Sequence, residues 1–360
     1  MNKLLINFFS AKSGGGKVIL DNFMEHFDAD DVEIHFICPP GYNLKCERHL
    51  EVKVPNWMTK PYGLLWFYFF FVPNYCKKNG ISKVLNFGDI ILPRVKNQTY
   101  FFDWAYLVLD DSNIWSSMDL KSRFIRLFKA KLIKAFKSNN KTVIVQSEEI
   151  SRSYKKNLGF KGELIVAPTP VSVSNIEGKS HGVEENSLVY ISNYAPHKNF
   201  EIIPKVAAIL KQNKVDCSII LTIDESSVHW SNLRLKLSDL GALDMVKTIG
   251  SLPQKDVFAV LKSSKALFFP SKLESYGIPI IEAMILGKPV LTSDTPFIKS
   301  VCGDAVLYFD PKCPEDIASK ITDFIEGVYN CRMREAEVAK VLESIPSWGQ
   351  YTRLLIKSSM

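Results

Sequence analysis

Short runs of β-branched and aromatic residues alternate along the whole chain with longer segments whose apolar residues recur at the helical period. That alternation is the sequence form of βαβ units and parallel sheets, so an α/β class is predicted. In the first half, strands are predicted near residues 4–9, 33–38, 83–87, 98–102 and 142–146, and helices near 18–27, 120–137 and 148–157. A second series follows, with strands near 188–191, 217–222, 247–249, 266–269, 290–292 and 306–309. The 360 residues exceed what one hydrophobic core usually serves, which agrees with two domains. The stretch 168–186, with Pro168, Pro170, Gly178 and Gly182 and no durable apolar period, reads as the linker. The predicted division is 1–170, 171–340 and a last segment, 341–360.

Hydrophobic residues make up 46% of the chain and charged residues 23%, so it can bury sizeable cores and is not a disordered or fibrous protein. Seven cysteines (38, 46, 76, 217, 302, 313 and 331) form no C-x-x-C pair, which argues against a disulfide framework or zinc finger and for a reducing cytoplasm. The apolar start is short, interrupted by Asn7, and runs into glycines, so it reads as a first strand rather than a signal sequence. The aromatic run 62–72 falls short of the roughly 18 to 20 residues of a membrane helix, and no spanning segment is expected. Net charge is +7, and its placement is uneven: residues 1–170 hold 24 basic against 16 acidic side chains, whereas 171–360 hold 21 against 22. Within the first half, 120–141 carries eight basic residues and no acid.

Chemistry concentrates in 266–310. A buried strand there leads into a loop, Pro279 suits a first helical turn, Gly287 suits a helix stop, and Pro289 releases the chain into another strand. Glu274 falls in the loop and Glu282 one turn inside the helix, so both can face a pocket at the carboxyl end of the strand, where open parallel sheets bind ligands. Backbone amides of Tyr276, Gly277 and Ile278 would favour an anion such as a diphosphate, and Ser275 lies beside them. Carboxylates next to an anion site suit sugar hydroxyls, so the combination reads as a phosphate-plus-sugar site. An ordinary helix with an N-terminal acid and a solvent-facing Glu282 is the alternative.

This stretch resembles the retaining glycosyltransferases of family 4, whose signature string is matched by Pro270, Ser271, Glu274, Ser275, Tyr276, Gly277, Pro279, Glu282, Ala283, Met284, Gly287, Pro289 and Val290. Similarity extends from 188 to 326, including Pro196-His197-Lys198-Asn199; over 1–170 it rests mainly on the glycine loop. The resemblance implies a GT-B fold of two facing Rossmann-like domains with a C-terminal helix crossing back to the first. It also implies that Glu274 binds hydroxyls of the donor sugar, Glu282 the ribose of the nucleotide, and Lys198 the diphosphate. Many relatives carry an arginine where this chain has Ser192, so a second cation must come from elsewhere, with Lys17 and Arg94 as candidates. His197 is read as a loop residue.

Gly14-Gly15-Gly16-Lys17 after the first strand fails the spacing of a P-loop, because Ala11 and Val18 stand where glycine and Ser or Thr are needed. In the resembled family Gly15 and Gly16 would face the donor phosphate and acceptor; a tight turn is the alternative. Asp103 lies where relatives carry a histidine contacting the donor sugar, and an unpaired turn aspartate is the alternative. Asp28-Ala29-Asp30 sits in an acidic turn, so no essential metal and no resident cofactor are expected. Leu120, Phe124, Leu127, Phe128, Leu132, Ala135 and Phe136 recur at helical spacing among the basic residues of 120–141. This basic amphipathic helix suggests docking on an anionic membrane; a solvated charged face and nucleic acid are the other readings, and no nucleic-acid motif accompanies it.

The resemblance thus implies a retaining glycosyltransferase moving a sugar from a nucleotide-diphosphate donor to a glycan or polyprenyl-linked acceptor. The expected setting is bacterial surface polysaccharide synthesis, in the cytoplasm and peripheral on the membrane. A nucleotide-sugar epimerase and an inactive sugar-nucleotide sensor are the rival readings.

Overall fold

The computed structural model describes residues 2–12, 14–28, 32–44, 49–108, 114–115, 118–173, 178–328 and 334–360. They divide into two compact units, Met1–Pro170 with Pro346–Met360, and Val171–Ile345.

In the first unit, β1 (Asn2–Asn7), β2 (Val32–Ile37), β3 (Leu50–Glu51), β4 (Lys83–Asn86), β5 (Gln98–Phe101), β6 (Asn140–Val145) and β7 (Glu163–Val166) form one parallel sheet in the order β3-β2-β1-β4-β5-β6-β7. In the second, β8 (Ser187–Tyr190), β9 (Ser218–Leu221), β10 (Val246–Thr248), β11 (Ala266–Phe269), β12 (Val290–Ser293) and β13 (Leu307–Phe309) pair in parallel in the order β10-β9-β8-β11-β12-β13. Both orders are Rossmann-like. Each sheet grows outward on one side of its first strand, then returns to the other side. The loops leaving β1 and β4, and those leaving β8 and β11, therefore part in opposite directions and open a crevice at the carboxyl ends.

Strands buried on both faces read as continuous apolar runs, which is why Ala266–Phe269 and Leu188–Tyr190 are fully buried and were recognisable in the sequence. The Trp348–Lys357 helix, opened by a capping box between Ser347 and Gln350, returns to the first unit. Its Trp348, Tyr351, Leu355 and Ile356 join the core formed by Leu4, Ile6, Phe8 and Phe23. Thr352 Oγ1 donates to the His26 carbonyl (3.2 Å), and Thr99 Oγ1 to that of Ser358 (2.9 Å).

Several elements differ from the sequence reading. The first helix spans Gly14–His26 and not 18–27: the glycines lower helix propensity, yet Gly14 turns the chain at φ +61° and Gly15 and Gly16 complete the first turn. The aromatic run forms a helix, Pro61–Trp66, a π-helical turn, Phe67–Phe71, and a further helix, Val72–Asn79. β3 and β7 carry too little pattern, two and four residues, to be recognised. Ala29 and Asp30 of the acidic turn, and Cys46 and Cys331, lie outside the described residues.

Candidate functional site

Lys198 ends a short 3-10 turn, Pro196–Lys198, after β8, and Glu274 lies in the loop after β11, so the two adjacent strands bring them together at the crevice of the second sheet. Lys198 Nζ stands 2.6 Å from Glu274 Oε1, and the ammonium lies 5.4 Å from the centre of the Phe269 ring. Both side chains are mostly buried, at 18% and 12% exposure. Their loops are fixed by Asn199, which adopts φ +60° and, fully buried, donates to the carbonyls of Pro270 (3.1 Å) and Pro311 (2.8 Å). An asparagine tolerates this left-handed conformation at little cost, which gives the Pro-His-Lys-Asn string a local structural reason. Tyr190 Oη donates to the Lys198 carbonyl (2.7 Å), and the Lys272 amide donates to that of His197 (2.8 Å).

Glu282 sits on the Ile278–Ile285 helix, 4% exposed, and accepts a hydrogen bond from Gln254 Nε2 at 2.7 Å. Burial pushes its carboxyl up to about 7, against the opposing pull of that hydrogen bond. The alternative of a solvent-facing Glu282 is thereby excluded. Gly277 takes φ +86° and starts the helix without a side-chain cap. Tyr276 is buried in the core of this unit, and Ser275 and Ile278 are half-buried. Ser192 is engaged locally, its amide donating to Thr222 Oγ1 (3.0 Å) and its hydroxyl to the Asn193 carbonyl (3.0 Å).

The crevice of the first sheet holds a cavity of about 130 Å³ lined by Ser10, Gly16, Asp89 and Asp103, with Phe8 and Phe87 among its apolar walls. Gly15 is exposed beside it in the sequence. Asp89, which the sequence reading missed, follows β4. It accepts from Ser10 Oγ (2.7 Å) and Lys129 Nζ (2.9 Å), while its amide donates to Tyr68 Oη (2.7 Å). Burial raises its carboxyl, but Lys129 and Ser10 prevail and the net displacement is downward. Asp103, although exposed as a residue, moves the other way: partial desolvation of its carboxyl is the main cause, Lys129 opposes it and Asp89 adds to it. Beneath them, Asn7 Nδ2 donates to Asn86 Oδ1 (2.8 Å) and Asn86 Nδ2 to Gln98 Oε1 (3.2 Å), a buried network that fixes the loop carrying Asp89. A Cβ on Gly16 would meet Ala11 only at ordinary contact distance, so packing does not require glycine there. Lys17 pairs with Asp21 (2.5 Å) and Arg94 lies over the Phe70 ring (4.7 Å), so each is engaged within the first unit.

Residues 174–339 match the family described as Glycosyl transferases group 1. The second unit is a group 1 glycosyl transferase domain. The chain is 26% identical over 177 residues to O-antigen chain mannosyltransferase B of Escherichia coli, covering 47% of this chain and 44% of that protein. It is 27% identical over 183 residues to O-antigen chain mannosyltransferase RfbU of Salmonella typhimurium, 50% of each. It thus spans about half the length of these relatives. Among solved structures, sucrose-phosphate synthase of Thermosynechococcus elongatus aligns with TM-score 0.71 at 14% identity, covering 99% and 98% of the two chains. WaaG, a glycosyltransferase involved in lipopolysaccharide biosynthesis, aligns at 0.68 and 14%, with 99% and 98% covered. The chain has the GT-B fold.

The group 1 domain therefore holds Lys198 and Glu274 in contact, and Glu282 with Gln254, a partner the sequence reading missed. Gly16 and Asp103 line the cavity of the other unit. A further cavity of about 290 Å³ lies at the amino ends of β12 and β13, lined by Val338, Leu342 and Arg334 among others, at the opposite end of the strands from Lys198 and Glu274. Among the described residues, no group of three or more His, Cys, Asp or Glu side chains is placed to hold a metal ion, and no helix is long and apolar enough to cross a membrane.

The Leu120–Phe136 helix, capped by Asp119, is oriented against the simplest expectation. Ala130 and Ile133 are buried, Arg126 lies over the Tyr106 ring (5.3 Å), and Lys129, paired with Asp89, lies over Trp104 (4.7 Å). Leu120, Phe124, Ile125, Leu127 and Phe128 are exposed. Lys137 follows the helix and donates to the Leu158 carbonyl. Lys129 and Lys137 are therefore held by the protein, whereas Lys121, Arg123, Lys131 and Lys134 stand exposed.

Proposed function

We propose that this chain transfers a hexose from a nucleotide-diphosphate donor to a glycan or polyprenyl-linked acceptor, with retention at the anomeric carbon, in bacterial surface polysaccharide synthesis. The observation that carries this reading is the Lys198–Glu274 contact at the crevice of a group 1 domain. A cation suited to a diphosphate and a carboxylate suited to sugar hydroxyls lie within 2.6 Å of one another. The O-antigen mannosyltransferases among the relatives support the substrate class.

In this reading the Lys198 ammonium and the amides of Gly277 and Ile278 stabilise the leaving diphosphate. Glu274 orients the donor sugar and stabilises its developing positive charge. Glu282 accepts hydrogen bonds from the ribose beside the one it accepts from Gln254. A diphosphate oxygen takes the proton of the acceptor hydroxyl, and no metal or resident cofactor is required. The cavity beside Gly16 and Asp103 receives a hydroxyl-bearing ligand. The outward apolar side chains and exposed cations of residues 120–141 dock the enzyme on an anionic membrane surface, and nucleic acid is not a partner.

A thermal-shift screen against free nucleoside diphosphates and their hexose conjugates tests the reading, since a ligand of the native state raises the melting temperature according to RT ln(1 + [L]/Kd). At least one nucleotide series is expected to stabilise the wild-type chain and to do so less in Lys198→Ala. A chain unaffected by every nucleotide and nucleotide sugar is not a transferase of this class. Turnover of the stabilising donor that needs no acceptor would instead identify an epimerase.

A further inference from the structure

We propose that the segment from Asn56 to Trp66 is a second lipid-contacting element, which together with the outward face of the Leu120–Phe136 helix inserts into the headgroup layer of an anionic bilayer. This rests on the peripheral-membrane reading of that helix and adds to it a separate part of the chain with a different mode of attachment.

Four large apolar side chains in ten residues face solvent here: Trp57 at 42% exposure, Tyr62 at 64%, Leu65 at 40% and Trp66 at 51%. Soluble surfaces scatter such residues singly; a cluster marks a contact surface. Their display is built into the backbone. Gly63 packs so closely on the preceding turn, Asn56–Thr59, that a Cβ would lie 2.3 Å from the Trp57 carbonyl oxygen and 2.6 Å from the Met58 Cα. Met58 is buried beneath, which leaves the Trp57 and Tyr62 rings stacked outside, 6.5 Å apart and inclined by 12°. Trp66 leans on Phe70, 4.6 Å away. The segment is joined to the basic helix through Phe69 and Phe136, whose rings meet edge to face at 5.7 Å.

Charge identifies the occupant. Residues 52–88 contain five lysines and no acid, and residues 120–147 contain eight basic residues and no acid. Both acid-free stretches thus carry exposed large apolar side chains, and they pack against one another. A second copy of the chain would oppose this positive surface with its own, whereas anionic lipid headgroups complement it. Trp and Tyr, apolar in body and polar at the tip, suit the headgroup level.

The test uses the full chain with phosphatidylcholine vesicles, with and without phosphatidylglycerol. Wild-type binding is expected on the anionic vesicles and to persist in part at about 1 M salt, where the Debye length is about 3 Å and only inserted apolar surface holds. Brominated acyl chains should quench tryptophan fluorescence, and Trp57→Phe with Trp66→Phe should abolish most of that quenching while binding is retained. Tyr62→Ser with Trp66→Ser should lower high-salt binding about tenfold, with an unchanged melting temperature and nucleotide response showing that the fold is intact. If wild-type protein binds anionic vesicles but quenching is the same in the double Phe variant, or the double Ser variant binds as well at high salt, the helix acts alone and this proposal fails. If the wild type binds no vesicles at low salt, the underlying membrane reading fails too. A dimer in light scattering that Trp66→Ser converts to a monomer would show that a second copy occupies the surface, and would overturn it.

Discussion

Replacing Glu282 by glutamine tests whether a buried carboxyl controls the pH behaviour of the proposed nucleotide site. Its native value near 7 stands above the ordinary 4.5 because burial disfavours the ionised form. The native state therefore holds this proton more tightly than the unfolded chain. The contribution to stability is fully present below about pH 4.5 and is lost as pH rises through 7. With those two values, linkage makes the loss about 2 to 3 kcal/mol between pH 5 and pH 8. A glutamine at this position would keep the shape and the hydrogen bond from Gln254 but cannot titrate. Urea unfolding of wild type and Glu282→Gln at pH 5 and pH 8 should differ in pH dependence by about 2 to 3 kcal/mol, the variant gaining on the wild type as pH rises. Pulsed hydrogen exchange on peptides from β11 and β12 assigns the transition to the second unit. Bound ribose hydroxyls would favour the ionised carboxylate, so nucleotide affinity in the wild type should rise up to about pH 7, and the variant should be weaker and flat. Parallel stability curves would refute the raised carboxyl; parallel affinity curves would refute its contact with ribose.

Lys198→Ala should lower both donor affinity and turnover at least about tenfold, because it removes the cation proposed to meet the diphosphate and the ion pair with Glu274; full activity would place the phosphates elsewhere. Glu274→Ala should reduce kcat about a hundredfold with little change in free-nucleotide affinity, since its proposed role is with the sugar as charge develops, and a normal kcat would contradict that role. Asn199→Ala should destabilise the second unit by about 2 to 4 kcal/mol in urea unfolding, losing two buried hydrogen bonds and straining a left-handed position; an unchanged midpoint would show that the loops hold themselves. Deleting 346–360 should unfold or aggregate the first unit, because Trp348, Tyr351, Leu355 and Ile356 leave its core; an undiminished melting temperature would rule out that dependence.

The α/β class was legible because parallel strands are buried on both faces and therefore spell out as apolar runs: Ala266–Phe269 is found where it was expected, and most others within a residue or two. The signature string placed Glu274 and Glu282 in one loop-helix unit, and the family resemblance implied the returning helix. What could not be read was determined by contacts distant in sequence. Gln254 reaches Glu282 from 28 residues away, and Asp89 is joined to Ser10 across 79. A signal for Asp89 existed in its place just after a predicted strand, but without the sheet order that strand could not be recognised as the neighbour of β1. The Gly14–Gly16 turn misled because propensity disfavours glycine in helices, whereas the first turn has fewer internal bonds to lose.

The rotation of the Leu120–Phe136 helix links the two lines of reasoning. A helix serving only as a solvated face would turn Phe124, Leu127 and Phe128 inward, each worth about 1.5 to 3 kcal/mol when fully buried, and its cations outward. Here Arg126 and Lys129 are turned inward and the aromatics outward, so the unit forgoes that burial. What it obtains is Lys129 against Asp89 at the floor of the Ser10–Asp103 cavity. The first crevice thus carries a lysine–carboxylate pair, as the second does with Lys198 and Glu274. In the first, however, the lysine comes from the helix proposed to meet the membrane. The side chains of one helix thereby connect the surface proposed to face lipid to the pocket proposed to receive a hydroxyl-bearing ligand. That arrangement suits an acceptor whose sugar is presented at the bilayer.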